Sequence, residues 1–565
     1  MNTIRIKSQI LCCLFTIFLI VPINTFAQDN ELIGRQELID DARQMLSLLE
    51  NVHPQPYFAG GGKIAFHQRF QNLLKAIPNN GMTREGFRGL LSPFFALVGD
   101  GHTHVYPDSP FNFSGLPLLF YVVEKDLYVA GVIEKEHKNL FGARLLSVEG
   151  IQFSEIVRRT QQYYSADNIY GTLAVLGNFE HLLTKRTVLE DIIPEWKDNA
   201  LINVSFLLPD GNTKKVQFEA KTRPNWELIR PDLNIELPLL EGREFGWGFI
   251  GANKDVAYLQ VRGMIENRET YEKRATYSDV SEDARVYYKS IYGKETNEPI
   301  DKVIAALPSL TETYTDLIVQ MKKSGANTLI IDLRTNTGGW AFPSDMLIYF
   351  LYGKEALIKL HQQTNIAIRK LSPYYLNDYP DESLDNINNS LINGKPRTFS
   401  LTEYDYDFRD YEKMENGKLT SAYAKQIVED DLALSKTFYN EYTKGTHSNY
   451  YIPAKVMVVT NVATFSAGFM FAKSLEIMGA TVVGSTSSQN VIQMGETVSY
   501  ELNNSKLGGS ISRSFLVHDT DLLNSPDQKN TLIPHYELTY EKLKEYKFSR
   551  HAEILYIQDI ISSEN

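Results

Sequence analysis

Two short runs constrain this fold more than any other part of the chain: Leu329-Ile330-Ile331 and Val456-Met457-Val458-Val459. Successive side chains of a strand point to opposite faces, so a strand that is apolar at both parities must be covered on both sides. Strands of that kind belong to parallel sheets clothed by helices. The stretch from Gly325 to Gly484 alternates strand and helix patterns as that architecture requires. The first run continues into Asp332-Leu333-Arg334-Thr335-Asn336-Thr337-Gly338-Gly339-Trp340. The second continues through Thr460 and Asn461 to Thr464-Phe465-Ser466-Ala467-Gly468. Loops leaving adjacent parallel strands at one edge form the ligand site of such a sheet. Asp332 and Arg334, flanking a buried strand end, are expected to pair with each other and offset their desolvation.

At 565 residues the chain needs several separate cores. The first 27 residues have the form of an export leader: Arg5 and Lys7, the apolar stretch Ile10 to Val21, then Thr25-Phe26-Ala27 as a cleavage site. That stretch falls short of the roughly 20 residues of a spanning helix. Cleavage after Ala27 leaves Gln28 first and removes Cys12 and Cys13, the only two cysteines. A thiol nucleophile, a thiolate metal site and disulfides are then excluded. The protein is expected in the periplasm or outside the cell. Residues 28–108 read as a small helical domain, with Thr83 capping its last helix and Gly99-Asp100-Gly101-His102 following. Residues 109–222 read as a β-rich domain with a turn at Asp210-Gly211, and 223–565 as the α/β core, with an inserted subdomain at about 354–450. The net charge of −12, without a basic patch, argues against nucleic acid or an anionic membrane as partner.

Thr464 is placed to cap a helix whose first turn holds Ser466. There a serine meets backbone N–H groups and the positive end of the helix dipole, which suits a nucleophile that forms a tetrahedral adduct. A serine near a helix start is more often only a cap, and paired glycines often only end a strand. Together, however, Gly338, Gly339 and the Ala467 amide have the makings of an oxyanion hole. His102, on its glycine-rich loop, is the candidate general base. His102 and His104 also allow a two-histidine metal pair, although no His-Glu-x-x-His spacing accompanies it. Thr464 to Gly468 lies one residue from the Gly-x-Ser-x-Gly elbow of α/β-hydrolases, whose triad would need His518, His535 or His551. The residues between strand and serine make a tight elbow an unfavoured reading.

Leu329 to Gly339, Val458 to Gly468 and Ala480-Thr481-Val482-Val483-Gly484 resemble, in that order, the motifs of the tail-specific or C-terminal processing serine peptidases. The resemblance is greatest to the branch of the tricorn core protease. It implies a core with the fold shared by crotonases and Clp peptidases, preceded by a helical and a β-rich PDZ-like domain. By the same likeness Ser466 is the nucleophile, Gly339 and Ala467 donate to the oxyanion, the substrate is a peptide or protein, and no cofactor or metal is needed. The processing branch takes its base from a lysine about two dozen residues after the serine. Here Gly484 to Val491 contains none. The tricorn-like branch uses an upstream histidine, which Asp100-Gly101-His102-Thr103 resembles, with Gly101 where a histidine-orienting serine would stand. Glu496 is the candidate acid. Gly142 to Gly150 resembles the end of a PDZ-type domain, which captures substrate tails as an added strand. The alternatives are a non-catalytic protein binding peptides or hydrophobic ligands in the same cleft, and an esterase.

Overall fold

The computed structural model describes residues 31–564, apart from 107–113, 178–188, 190, 197–200, 220, 223–227, 232, 234, 239–242, 252, 365, most of 379–405, 445–450 and 523–530. The leader expected at 1–27 lies outside the described residues. No helix among the described residues is long and apolar enough to cross a membrane.

The chain opens with helices α1 (Arg35–Val52), α2 (Gly62–Ala76) and α3 (Arg84–Ala96). Thr83 caps α3 as expected, its side chain accepting from the Gly86 amide at 3.2 Å. The buried faces of these helices, Leu38, Met45, Phe66, Phe87 and Leu91 among them, form one cluster with Leu502, Leu507 and Ile511 from far along the chain. The helical unit therefore completes its core on another part of the molecule. Directly after it, β1 (His104–Val105) carries the candidate base loop into a sheet.

The β-rich section runs through β2 (Leu118–Val123), β3 (Asp126–Val132), β4 (Arg144–Val148), α4 (Phe153–Tyr163), α5 (Ile169–Gly177), β5 (Leu201–Leu207) and β6 (Thr213–Glu219). These strands pair antiparallel in chain order, with the Asp210-Gly211 turn closing the last hairpin. Helices α4 and α5 cover the sheet and share its core through Ile156, Leu173 and Leu176.

The third unit is built on a six-stranded sheet. Its order is β7 (Phe245–Ile250), β8 (Val256–Val261), β9 (Thr328–Asp332), β10 (Lys455–Thr460), β11 (Thr481–Gly484) and β12 (Tyr536–Glu537), all parallel except the first pair. The register sets Leu329 beside Val456 and Ile331 beside Val458. These four point into one core with Leu317 and Phe350, whereas Ile330, Met457 and Val459 point into another with Ile554 and Ile557. Burial on both faces is thus literal, and each such side chain contributes about 1.5–3 kcal/mol. Asp332 receives two bonds from the Arg334 guanidinium, at 3.0 and 2.7 Å, one from the Arg334 amide at 3.1 Å and one from the Tyr258 hydroxyl at 2.6 Å. Arg334 also reaches Glu553 at 2.7 Å, so the pair is structural, as expected.

A second sheet joins the distant pieces. Strand Gly508–Val517 pairs with Ile492–Glu501, with Ile366–Lys370 and with β1, where His104 faces Ser510. The 354–450 stretch, expected as an insertion, thereby supplies a strand to the sheet that holds the histidine loop.

Candidate active site

After β10 the chain turns through Asn461–Phe465 and enters helix Ala467–Ile477 with Ser466 as the residue before its first turn. Thr464 does not cap that helix. Its hydroxyl donates to the Leu333 carbonyl at 2.9 Å and accepts from the Asn461 amide at 3.1 Å, joining the two loops that leave β9 and β10. Ser466 takes the cap position but makes no side-chain cap bond, so its Oγ is not committed to the helix. Its backbone is at φ 52°, ψ −127°, a conformation that side-chain-bearing residues avoid. A strained turn of this kind also holds the serine of a nucleophile elbow, although here five residues separate Ser466 from the strand.

The glycine loop closes over Ser466. Gly338 and Gly339 have φ of 107° and 128°. A Cβ on Gly338 would lie 2.5 Å from that of Ser466 and 2.9 Å from the Ala467 nitrogen, so only glycine permits the approach. The Gly338 amide donates to Asn336 Oδ1 at 3.0 Å, which removes it from the expected oxyanion hole. Gly339 and Ala467 remain as its candidate donors. Asn336 organises this part of the site. Besides fixing Gly338, its Nδ2 donates to the Val261 carbonyl at 3.2 Å and its own carbonyl accepts from the Phe465 amide at 3.0 Å. Gly468 must be glycine here, since a Cβ would meet the Asn336 carbonyl oxygen at 2.5 Å.

His102 stands against the same loop. Its ring centroid lies 4.6 Å from that of Phe465, the residue before Ser466. It is 1% exposed. Asp100, two residues earlier, accepts from the His102 amide at 2.9 Å and brings Oδ1 to 3.7 Å from His102 Nδ1. Its other oxygen accepts from the Thr103 hydroxyl at 2.5 Å and lies 3.4 Å from His53 Nε2. Burial alone would raise the Asp100 carboxyl, but the bonds and charges of His102 and His53 outweigh it and hold it well below the usual carboxylate range. An ionised Asp100 thus faces His102 Nδ1 at ion-pair distance. The loop is tied down from the opposite strand: Ser510 Oγ donates to the His102 carbonyl at 2.6 Å and the Ser512 amide to Thr103 Oγ1 at 2.9 Å.

Glu496, the acid suggested by resemblance, is engaged elsewhere. Arg369 grips it with two bonds of 2.9 and 2.8 Å, and Ser514 donates to it as well. Burial opposes its ionisation, yet Arg369 keeps its pKa below the ordinary value. The carboxylates whose charge acts on His102 are instead Asp100 and Asp167. Of the histidines needed for an elbow-type triad, His535 Nδ1 accepts from the Val482 amide at 3.0 Å and is structural. His518 is buried against Gln493, and burial together with the charge of His102 pushes its pKa down to about 3. His104 lies in β1 with its ring edge-on to Tyr106. The three-residue group that brings carboxylate and imidazole atoms together among the described residues is Glu134, Glu136 and His137, away from this site.

Two residues with no prominence in the sequence complete the arrangement. Gln489, fully buried, accepts the Ser466 amide through Oε1. Asp167 accepts from Gln489 Nε2 at 3.2 Å and from the Gly101 amide at 2.7 Å. The only sequence signal for Gln489 is its place in Ser487-Ser488-Gln489-Asn490, the polar run where a lysine base is absent.

With this geometry in hand, the likenesses to known proteins are specific. The model for peptidase family S41 matches residues 306–513, which contain β9, β10, the glycine loop and Ser466. No curated protein sequence matches. In fold the chain is similar to a crystal structure of mature CPAF, with a TM-score of 0.52 at 13% identity over 92% of this chain and 96% of that one. It is equally similar to mature CPAF complexed with lactacystin, with a TM-score of 0.53 at 14% identity over 92% and 97%.

Proposed function

We propose that this serine peptidase, whose residues 306–513 match peptidase family S41, is exported and cleaves peptide bonds through an acyl-enzyme on Ser466 with His102 as general base. His102 takes the Ser466 hydroxyl proton as Oγ attacks the substrate carbonyl carbon. The carbonyl oxygen becomes an oxyanion held by the Gly339 and Ala467 amides. Collapse of the adduct breaks the C–N bond, and the imidazolium returns its proton to the leaving amine. Water then repeats the sequence on the ester and frees Ser466. Asp100 keeps the imidazole oriented and stabilises its charged form.

The observation that carries this reading is the strained Ser466 backbone, which leaves Oγ outside the helix cap, with the glycine loop packed on Ser466 and the His102 ring packed on Phe465, the residue before it. Substrate capture is part of the proposal. A groove of about 400 Å³ between β4, α4 and α5 joins Lys125 and the Arg144–Asp126 ion pair to the apolar Phe153, Val157 and Leu173, a combination of polar rim and apolar floor suited to a peptide segment.

A fluorophosphonate probe tests the chemistry and the export together. The expected result is a labelled protein in the exported fraction with Gln28 at its N-terminus. The Ser466→Ala variant is expected to show no labelling and at least a roughly thousandfold lower kcat at an unchanged melting temperature. A folded wild type that neither labels nor cleaves a peptide panel overturns the reading in favour of a binding protein, and an ester-only substrate range favours an esterase.

A further inference from the structure

The turn Ser165–Asn168, which joins α4 to α5 in the β-rich unit, is bonded to both halves of the catalytic apparatus. Ser165 Oγ accepts from the Asp100 amide at 2.7 Å, and Asp167 Oδ1 accepts from the Gly101 amide at 2.7 Å. On the other side, Asp167 Oδ2 accepts from Gln489 Nε2 at 3.2 Å and from the Asn490 amide at 3.4 Å. The backbone carbonyl of Asp167 accepts from Asn490 Nδ2 at 3.0 Å, and Asn168 Nδ2 donates to Asn490 Oδ1 at 3.1 Å. One carboxylate therefore bridges the loop of the base and the loop that touches the nucleophile.

We propose that Asp167 is a positioning residue for catalysis, which sets the orientation of the Gln489 side chain and, through it, holds Ser466 in register with the His102 loop. This rests on the peptidase reading for its effect on rate, but not for the contact itself. Gln489 has one acceptor and one donor end, and in the observed orientation both are matched: Oε1 to the Ser466 amide, Nε2 to the Asp167 carboxylate. A flipped amide would set donor against donor at Ser466 and acceptor against acceptor at Asp167. Asp167 thus selects one of two orientations. The selected one occupies the Ser466 N–H from behind and leaves Gly339 and Ala467 to serve the oxyanion. Buried polar groups matched in this way are costly to disturb.

The ionised form of Asp167 is the one that accepts from Gln489, Gly101 and Asn490 together. Burial, then the neighbouring Asp100, push its carboxyl up to about 6, with His102 and the amides opposing. The titratable groups facing it are Asp100 and His102 on the base loop, with His53 behind Asp100. The partners offered by 489–490 are uncharged amides.

The experiment is an exchange of the hydrogen-bonding groups. Asp167→Asn replaces the acceptor facing Gln489 with a donor, and Gln489→Glu sets two carboxylates together. Each is expected to lower kcat roughly ten- to hundredfold with KM changed less than about threefold. The double variant D167N/Q489E restores a matched pair. The amide now at position 167 donates to the carboxylate now at position 489, which still accepts from Ser466, while the amide oxygen at 167 still accepts from Gly101, and only the long Asn490 amide contact, 3.4 Å in the wild type, loses its acceptor. This variant is expected to recover kcat to within about fivefold of wild type. Wild-type activity is expected to fall as pH drops through about 6, where Asp167 loses its acceptor oxygen. The double variant, with another acid in place, is expected to shift that limb. Single variants that keep wild-type kcat, or a double variant no better than the worse single one, overturn the proposal. Hydrogen exchange at the Ser466 amide gives a readout independent of catalysis. It is expected to be slow in wild type and double variant and faster in each single one, and equal rates in all four overturn the contact. A wild type unreactive to fluorophosphonate with this exchange pattern intact sinks the peptidase reading and leaves the Asp167 contact standing.

Discussion

At Ser466 the backbone itself works against the fold, since φ 52° crowds the side chain against its own peptide at a cost of about 1–3 kcal/mol. Replacing the side chain without relieving the backbone should change little, whereas glycine visits this region freely. Ser466→Ala is therefore expected to unfold at the wild-type denaturant concentration, and Ser466→Gly to be more stable than Ser466→Ala by about 1 kcal/mol. Both would be inactive. Chemical denaturation of the two variants side by side checks this, and equal midpoints would show that the conformation carries no strain. The candidate nucleophile was legible in the sequence because small residues follow a buried strand, but its strained backbone was not. The packing of Gly338 on Ser466 and of Asn336 on Gly468, and the Gln489 bond to the Ser466 amide, surround that conformation with contacts from far along the chain. Glu496 shows the opposite failure. The resemblance suggested it as the acid, while Arg369, 127 residues away, binds it.

Among the elements, β9 and β10 were readable because burial on both faces leaves an unbroken apolar run, and the Thr83 cap was readable because it is local. Thr464 was misread for the same reason. A cap is the nearest use for a threonine before a helix, yet its partner is the Leu333 carbonyl, 131 residues earlier in the chain. Strand Gly508–Val517 looks ordinary in sequence and holds the histidine loop through Ser510 and Ser512. At its end lies His518, whose pKa burial pushes down to about 3. A depressed imidazole stays neutral in the folded protein while the unfolded chain takes up a proton near pH 6.5. Stability from this group is fully present above that value and is lost as pH falls toward 3. Between about pH 7 and pH 4.5 the loss is expected to be about 2–3 kcal/mol. His518→Asn is expected to flatten that part of the pH profile in urea unfolding. A wild-type slope retained in the variant would assign the acid sensitivity to another group.

Across the whole molecule, the candidate active site belongs to no single unit. The base loop follows a helical unit whose core includes Leu502, Leu507 and Ile511. The positioning turn belongs to the β-rich unit, and the nucleophile to the sheet between two further cores. Polar bonds at a junction are weaker than the apolar cores they join. Moderate urea is therefore expected to separate the junction before the cores melt, so that activity falls at a lower concentration than tryptophan fluorescence changes. Two truncations distinguish this from simple unfolding. Leu507 is fully buried where the helical unit meets the hairpin, and Ile557 is fully buried beneath the central sheet. Each change to alanine removes about 2–5 kcal/mol from its own cluster. Leu507→Ala is expected to lower the urea concentration at which activity is lost, with the main fluorescence transition shifted much less. Ile557→Ala is expected to lower the fluorescence midpoint as well. If activity and fluorescence fall together in wild type and both variants, the three units unfold as one, and the catalytic geometry is as stable as the sheet that carries Ser466.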